Sequence, residues 1–543
     1  MARSAHLDTF ARDRLPPPAQ WPVLRFDLPE LQFGERLNCV AELLDRHVAA
    51  GRGERICIRA PGHPGWTYAE LQRQVDRIAG VLVQRLGMLT GNRVLLRAPN
   101  TPMLAACWLA VVKAGGIAVA TMPLLRSKEL VQILDKAQIA IALCDPALTE
   151  ELDAAARVAG TPPRCLDFAA LQVEMSSMPD RFEAVDTAAE DVALIAFTSG
   201  TTGQPKATMH QHRDVMAACL CFPPHVLRAT PDDIFIGSPP LAFTFGLGGL
   251  LFFPMHIGAM TVLIDKPSPA ALVDAIADFG ATVLFTAPTS YRAMADSAHE
   301  RRIAAPHGGT LRKCVSAGEA LPAATRTLWR EATGIEMIDG IGATEMLHIF
   351  IAADEAEARP GATGKAVPGY RACVMDALGH PLPPGVVGRL AVQGPTGCRY
   401  LDDARQADYV QDGWNYTGDA YLMDADGYFH YQSRTDDMIV SAGYNIAAPE
   451  VEEAVLAHPA VAACAVIGVA DVQRGSIVKA FVMLREGSVA EAALATSIQD
   501  FVKARIAPYK YPRSVEFVSE LPRTATGKLQ RFRLRDPAPP RTA

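Results

Sequence analysis

Short apolar runs alternate with amphipathic stretches through about the first 400 residues of the chain. The runs are RVLLRAP near residue 93, GIAVATMP near 116, AIALCD near 140, VALIAF before 198, ATVLFTAP near 281 and KCVSAGE near 313. Apolar runs of this length that alternate with helical patterns are typical of parallel sheets covered by helices. Several runs end in Pro, Gly, Ser or Asp, where the ligand-binding loops of open α/β sheets usually begin.

The pattern changes from about Pro381 onward. The segments PLPPGVVGRLAVQGP and DADGYFHYQ are rich in Gly and Asp and predict hairpins. After SRTDDMIV we expect a helix in AAPEVEEAVLAHP, strands in AACAVIGV and KAFVML, and a helix in AALATSIQDFVKARI. The prediction is an α/β fold with a large N-terminal domain of stacked sheets over residues 1–435, β-rich from about 381. A small α+β C-terminal domain is predicted over residues 436–543.

Composition narrows the class of protein. The 543 residues exceed what one hydrophobic core usually serves, and 49% hydrophobic with 20% charged residues is ordinary for a soluble globular protein. The net charge is −7 with no cluster of Lys and Arg, so nucleic acid is an unexpected partner. The 11 cysteines show no CxxC spacing, and the N-terminus lacks the apolar run of a signal peptide, which favours reduced thiols and a cytoplasmic location.

One segment is long enough to cross a bilayer. Residues 243–264 contain no Lys, Arg, Asp or Glu over 22 positions. Several glycines, Pro254 and His256 interrupt the segment, and irregular backbone is poorly tolerated facing lipid. We therefore expect a buried strand, turn and helix here and no membrane contact.

A loop built for phosphate follows the run VALIAF. Its sequence, TSGTTGQPK, ends at Lys206 and begins at Thr198. Glycines let backbone N–H groups approach an anion, hydroxyls add donors, and the lysine supplies charge. The GxxxxGK[ST] pattern of P-loop ATPases is absent, because Gly527-Lys528 is followed by Leu529.

The loop and five later motifs together resemble the adenylate-forming superfamily, which includes acyl-CoA synthetases, firefly luciferase and peptide-synthetase adenylation domains. The later motifs, in order, are SAGE from Ser316, DGIGATE from Asp339, YTGD from Tyr416, RTDD from Arg434 and PRTATGK from Pro522. The resemblance implies ATP, Mg²⁺ and coenzyme A as cofactors and an AMP-forming acid:CoA ligase as the activity.

The resemblance also assigns roles to residues. Catalysis is implied for Lys528, Thr344, Glu345 and Lys206, with Glu345 as the Mg²⁺ ligand. ATP binding is implied for Thr198, Ser199, Gly200, Thr201, Thr202, Ala317, Gly318, Glu319, Asp339, Gly340, Ile341, Asp419 and Arg434. The C-terminal domain of such enzymes swings about a hinge residue, here Asp436, and Ser441, Gly443 and Tyr444 would then face CoA.

Two segments point to the acid. PLAFTFGLG from Pro240 and TEMLHIF from Thr344 resemble benzoate-CoA and 2-aminobenzoate-CoA ligases, which implies an aryl pocket of Thr244, Phe245, Ala343 and His348. A flat ring suits such an apolar slot. Without this context, His348 would be read as a core histidine and Phe245 as a core residue.

The expected partners are a small aromatic acid, ATP and CoA, with the chain acting as a monomer or homodimer. Two alternatives stay open within enzymes: an adenylation enzyme that loads a carrier protein, and a CoA ligase for a non-aromatic acid. A non-catalytic relative would have lost catalytic groups, yet Lys206, Glu345, Asp419 and Lys528 are all present.

Overall fold

The structure, a computed structural model, describes residues 3–198, 205–435, 438–441, 444–471, 475–506, 510–523 and 529–535. The chain divides into two compact units. The first unit comprises Met1–Ala372 and Val392–Tyr416, and the second comprises Cys373–Ala391 and Thr417–Ala543. The division falls inside three strands, β16, β17 and β19, whose bounds follow.

The strands are β1 Ile56–Ala60, β2 His63–Thr67, β3 Arg93–Arg97, β4 Ile117–Thr121, β5 Ile141–Cys144, β6 Arg164–Asp167, β7 Val192–Thr198, β8 Lys206–Gln211, β9 Ile234–Gly237, β10 Met260–Val262, β11 Val283–Thr286, β12 Lys313–Ser316, β13 Met337–Gly342, β14 Ile349–Ala352, β15 Lys365–Ala366, β16 Arg371–Met375, β17 Gly388–Gln393, β18 Val410–Gln411, β19 Trp414–Met423, β20 Phe429–Arg434, β21 Met438–Ser441, β22 Tyr444–Ala447, β23 Val461–Asp471, β24 Gly475–Leu484 and β25 Ser514–Phe517.

The α-helices are α1 Phe10–Asp13, α2 Arg46–Ala49, α3 Tyr68–Gly80, α4 Pro102–Lys113, α5 Ser127–Ala137, α6 Thr149–Val158, α7 Phe168–Met175, α8 His212–Phe222, α9 Thr244–Leu247, α10 Phe253–Ile257, α11 Pro269–Phe279, α12 Pro288–Glu300, α13 Ala323–Thr333, α14 Gln406–Tyr409, α15 Ala448–Leu456, α16 Ala492–Lys503 and α17 Phe532–Arg535.

Two large sheets organise the first unit. The six-stranded sheet has the order β6-β5-β3-β4-β7-β8 and is parallel except for the last pair. The nine-stranded sheet has the order β15-β14-β13-β12-β11-β9-β10-β1-β2 and is parallel from β13 to β1. Each sheet has a core of buried aliphatic residues on its strands and covering helices. The predicted parallel α/β architecture is confirmed, and all six apolar runs form strands.

The segment 243–264 contains the expected helix, turn and strand, with the helical part first and the strand last. It forms α9, a π-helical turn over Gly248–Phe252, α10 and then β10. Most of its residues are buried in the first unit. Among the described residues, no helix is long and apolar enough to span a membrane.

The second unit has its own core. β23 and β24 form a long antiparallel pair, β25 joins β24 in parallel, and α15 and α16 pack their apolar residues on this sheet. The predicted hairpin at DADGYFHYQ forms between β19 and β20. The elements expected after residue 435 are present, while the boundary at Asp436 stays a prediction because Asp436 lies outside the described residues.

Candidate active site

The β7–β8 hairpin carries the predicted phosphate lysine. β7 ends at Thr198, β8 begins at Lys206, and the two residues are cross-strand partners. Because side chains alternate along a strand, Lys206, Thr208 and His210 share one face of β8. Four predicted loop residues lie outside the described residues: Ser199, Gly200, Thr201 and Thr202.

An extended segment around Tyr400 pairs with β8. The Met209 N–H donates to the Arg399 carbonyl at 2.8 Å, and the Leu401 N–H donates to the Ala207 carbonyl at 2.8 Å. This register sets Tyr400 opposite Thr208. The Lys206 ammonium then lies 5.2 Å from the centroid of the Tyr400 ring, within the range of a cation–π interaction.

The predicted metal ligand lies in the short turn between β13 and β14. Glu345 is 8% exposed, and its Oε1 accepts a hydrogen bond from the Tyr400 hydroxyl at 2.5 Å. Burial and the Glu345 carboxylate raise the pKa of Tyr400 far above its usual value, so the hydroxyl stays protonated and donates. Glu345 and Lys206, both predicted to be catalytic, therefore interact with the same tyrosine side chain.

His210 forms a hydrogen bond with the backbone next to Glu345. His210 Nε2 lies 2.7 Å from the carbonyl oxygen of Thr344. Burial lowers the pKa of His210 to about 4, so the neutral ring donates this bond. Behind it, Asp214 accepts from the Arg399 guanidinium at 2.7 Å, with both side chains fully buried.

These groups fit a magnesium ion held jointly by the protein and a triphosphate. Carboxylate oxygens are preferred ligands of hard cations, and Mg²⁺ usually takes one or two carboxylates together with phosphates and water. In the described ranges, no group of three or more His, Cys, Asp or Glu side chains could hold a metal. Glu345 would supply a protein carboxylate to this ion, and Lys206 would add positive charge facing the phosphates.

The predicted adenine residues lie on two neighbouring parallel strands, directly after β12 and within β13. Ala317, Gly318 and Glu319 come directly after β12, and Asp339, Gly340 and Ile341 lie in β13. The register pairs Ser316 with Asp339, so the two groups lie at the same edge of the sheet. Burial raises the pKa of Asp339 to about 7, although Arg326 acts in the opposite direction. The structure thus brings the adenine residues together.

The predicted ribose residues lie in the second unit. Asp419 in β19 and Arg434 in β20 are cross-strand partners, and the Arg434 Nη1 donates to Asp419 Oδ1 at 2.9 Å. Gly418 has φ of 77°, and a Cβ there would lie 2.7 Å from the Arg434 guanidinium. The glycine of the YTGD motif therefore permits the Asp–Arg pair.

Two of the three predicted CoA residues lie on the hairpin of β21 and β22. Ser441 is buried and is the cross-strand partner of Tyr444, whose backbone alone is described. Gly443, the hinge Asp436 and the catalytic Lys528 lie outside the described residues. Their roles stay predictions.

Aromatic rings enclose the predicted aryl pocket in the first unit. His348 is 3% exposed, and its ring centroid lies 4.5 Å from Phe253, 5.7 Å from Phe245, 5.7 Å from Phe222 and 6.4 Å from Phe285. Burial lowers the pKa of His348 to about 3, so the imidazole is neutral. Its Nε2 lies 3.4 Å from the Phe245 carbonyl oxygen. The surroundings of His348 are aromatic, apolar and uncharged.

Two further predicted pocket residues lie at the ends of this enclosure. Thr244 begins α9 next to Phe245 and is buried, and Ala343 directly precedes the turn that carries Glu345. Met346 and Leu347 separate Glu345 from His348, and Leu347 adopts φ of 69°, a conformation unusual for a residue with a side chain. One short turn and the residues directly after it therefore carry both the predicted metal carboxylate and the predicted pocket histidine.

Because Gly248 has no side chain, the His348 ring has space beside it. Replacing Gly248 by alanine should therefore impair the aryl site. A Cβ at Gly248 would lie 2.3 Å from His348 Cδ2, so the imidazole would have to shift. We expect kcat/KM for an aromatic acid to fall about 10- to 200-fold, the usual effect of a single methylene in a pocket. Steady-state kinetics with ATP and the acid varied in turn would measure this fall.

The matched control is Gly160→Ala, where the nearest atom to a Cβ is Asp135 Oδ1 at 3.5 Å. This variant should behave like the parent enzyme. A Gly248→Ala enzyme with unchanged kcat/KM for aromatic acids would contradict the assignment of the pocket.

Sequence reasoning missed Tyr400, His210 and the phenylalanines at 222, 253 and 285. His210 had a signal, since it lies four residues after Lys206 on a strand and thus on the same face. Tyr400 had none, because its contact with Glu345 joins segments 55 residues apart.

Comparisons with known proteins identify the family of the chain. The family model described as AMP-binding enzyme matches residues 44–399, and the AMP-binding enzyme C-terminal domain matches residues 450–528. A benzoate–CoA ligase of Thauera aromatica is 34% identical, over 93% of this chain and 97% of its own length.

Solved structures agree as well. An anthranilate CoA ligase in complex with anthranoyl-AMP aligns with a TM-score of 0.86 at 32% identity, over 93% of this chain and 98% of that one. A benzoate CoA ligase from Burkholderia xenovorans LB400 aligns with a TM-score of 0.83 at 30% identity, over 92% of this chain and 100% of that one. The resemblance drawn from the motifs is confirmed, and the chain belongs to the family of AMP-binding, adenylate-forming enzymes.

Proposed function

We propose that the protein is an AMP-forming aromatic acid:CoA ligase acting on 2-aminobenzoate or benzoate. The observation that carries this proposal is the group of phenylalanines around the neutral His348, an apolar and uncharged environment of the kind that suits an aromatic ring. The names of the relatives, a benzoate–CoA ligase and an anthranilate CoA ligase, support it.

The proposed reaction has two steps. A carboxylate oxygen of the acid attacks the α-phosphorus of ATP, pyrophosphate leaves, and an acyl-adenylate forms. The CoA thiol then attacks the acyl carbon, loses its proton, and displaces AMP. Joining the acid to AMP is needed because oxide is a poor leaving group, whereas AMP is a good one.

In the first step, this chain's own residues would bind ATP and stabilise the charge that develops during the attack. The Lys206 ammonium and Thr344 would hold the phosphates, while the Asp419 carboxylate, held by Arg434, would accept hydrogen bonds from the ribose hydroxyls. Bound Mg²⁺ would neutralise charge on the phosphate oxygens. Lys528 would stabilise the charge that builds on the oxygens during attack.

The second step requires a different arrangement, because a lysine inside the site and a channel for pantetheine exclude each other. We propose that the residues from 436 onward rotate about Asp436 between the steps, as conformational steps of this kind are common in enzymes. Ser441, Gly443 and Tyr444 would then face CoA. A cytoplasmic location and a monomeric or dimeric state belong to the same proposal.

The test is a pyrophosphate-release screen over benzoate, 2-aminobenzoate, hydroxybenzoates, phenylacetate and hexanoate, with and without CoA. We expect the highest kcat/KM for benzoate or 2-aminobenzoate, with CoA converted to the thioester. A highest kcat/KM for hexanoate would refute the aromatic pocket, and turnover with a phosphopantetheinyl carrier but not with CoA would favour the carrier-loading alternative.

A further inference from the structure

A single tyrosine connects the two charged residues that the proposed function places around the triphosphate. The Tyr400 hydroxyl donates to Glu345 Oε1 at 2.5 Å, and the Lys206 Nζ lies 5.2 Å from the centroid of the same ring. Glu345 and Lys206 come from different sheets, since β8 belongs to the six-stranded sheet and Glu345 follows β13 of the nine-stranded one. Tyr400 therefore bridges two elements that no local sequence relation joins.

The tyrosine is itself fixed in place. Its backbone N–H donates to the buried Gln406 Oε1 at 2.9 Å, and Gln406 Nε2 donates to the carbonyls of Cys398 and Gln20. Its ring is fully buried and packs edge-on against Tyr409 at 5.9 Å. A side chain held on both its backbone and its ring can direct a hydroxyl with little freedom.

The hydrogen bond also selects which carboxylate oxygen remains for a cation. A protonated hydroxyl on Oε1 fixes the rotation of the Glu345 carboxylate and leaves Oε2 as the oxygen for a metal. Hydrogen bonds that orient a metal-binding carboxylate typically change metal affinity 10- to 100-fold when they are removed.

We infer that Tyr400 is a positioning residue for the magnesium–triphosphate site: its hydroxyl orients the Glu345 carboxylate, and its ring holds the Lys206 ammonium beside that carboxylate. This inference rests on the proposed role of Glu345 as the metal ligand. It predicts that Tyr400 acts on the magnesium-dependent part of ATP binding and leaves binding of the aromatic acid unchanged.

The test is equilibrium binding of ATP by calorimetry, with excess Mg²⁺ and with EDTA, on the full chain. Tyr400→Phe keeps the ring beside Lys206 and removes only the hydroxyl. We expect affinity in Mg²⁺ to fall about 10- to 100-fold, with affinity in EDTA unchanged. Steady-state kinetics should show a higher Mg²⁺ requirement and an unaltered KM for the acid.

The matched control is Tyr291→Phe. Tyr291 is also a fully buried tyrosine, and its hydroxyl donates to the Val315 carbonyl at 3.0 Å. Loss of this hydroxyl should lower the stability of the fold without changing the difference between the ATP affinity in Mg²⁺ and the ATP affinity in EDTA. A general loosening of the fold would instead affect both variants alike, and that result would overturn the inference.

Glu345→Gln separates the inference from the proposed function. The magnesium-dependent gain is the increase in ATP affinity from EDTA to excess Mg²⁺. If Glu345→Gln removes this gain and the addition of Tyr400→Phe to that variant causes no further loss of affinity, the inference is supported. If Glu345→Gln acts while Tyr400→Phe alone has no effect, the role of Tyr400 is refuted and the metal role of Glu345 stands. If Glu345→Gln leaves the gain intact, the metal assignment fails and the inference with it.

Discussion

Replacing Lys528 by alanine is expected to slow acyl-adenylate formation by at least about 10²- to 10³-fold, the usual cost of removing one preorganised group that stabilises transition-state charge. The carboxylate and the α-phosphate are both anions, so their approach depends on a nearby cation. Thioester formation from supplied acyl-adenylate and CoA should be largely spared. Pyrophosphate release and thioester formation, measured separately, would report the two steps.

Lys503→Ala is the control for a lysine of the same unit. Its ammonium lies 2.8 Å from Asp500 Oδ1 on an exposed face of α16, so its removal should change neither step. If Lys528→Ala slowed both half-reactions equally, a specific role in adenylation would be ruled out.

Removing the Asp214 carboxylate should cause the largest loss of stability that the structure predicts. Asp214 and Arg399 form an ion pair at 2.7 Å with neither side chain exposed. Asp214→Ala would leave the guanidinium buried without its anion, which typically costs about 3–5 kcal/mol. All five tryptophans lie in the first unit, so urea denaturation followed by tryptophan fluorescence measures that unit.

The exposed pair of Arg36 and Asp186 provides the comparison. Asp186 is 78% exposed, and Asp186→Ala should cost less than about 1 kcal/mol. The double variant Asp214→Leu with Arg399→Met should recover much of the loss, because it removes both charges. Equal losses for Asp214→Ala and Asp186→Ala would contradict the importance of the buried pair.

The same carboxylate gives the stability a pH dependence. Burial disfavours the charged form of Asp214, but Arg399, through its charge and its hydrogen bond, together with His210 and Arg213 outweighs burial and holds the pKa of Asp214 below its ordinary value of 3.8. A group with a lowered pKa in the folded state stabilises the fold above its ordinary pKa and loses that contribution as the pH falls through the lowered value. The contribution is therefore complete at neutral pH and is lost below about pH 4.

The sequence predicted the parts of the fold that follow from local pattern. Apolar runs of four to seven residues form β3, β5 and β11. A continuous apolar run is the sequence pattern of a strand that is buried on both faces, so these strands could be predicted from the run alone. The predicted adenine residues could be placed at one edge of the sheet because they lie at the end of β12 and in its parallel neighbour β13. The strand, turn and helix expected in 243–264 are present, but their order along the chain could not be predicted, because short apolar runs with glycines fit a helical turn as well as a strand.

The arrangement of side chains inside the site could not be predicted in the same way. The contact between Tyr400 and Glu345 depends on the register of the 399–401 segment against β8, which no spacing in the sequence encodes. The enclosure of His348 likewise assembles rings from α8, α10 and β11. Such contacts arise only when separate elements pack together.

The discontinuous second unit has a consequence for domain exchange among related enzymes. Cys373–Ala391 and residues 417–435 group with the C-terminal residues, and α15 packs on β20 within this unit. A graft that replaces everything from residue 436 onward would set a foreign α15 against the original β20. Recombination within this family should therefore work best when Cys373–Ala391 and residues 417–435 are exchanged together with the C-terminal segment.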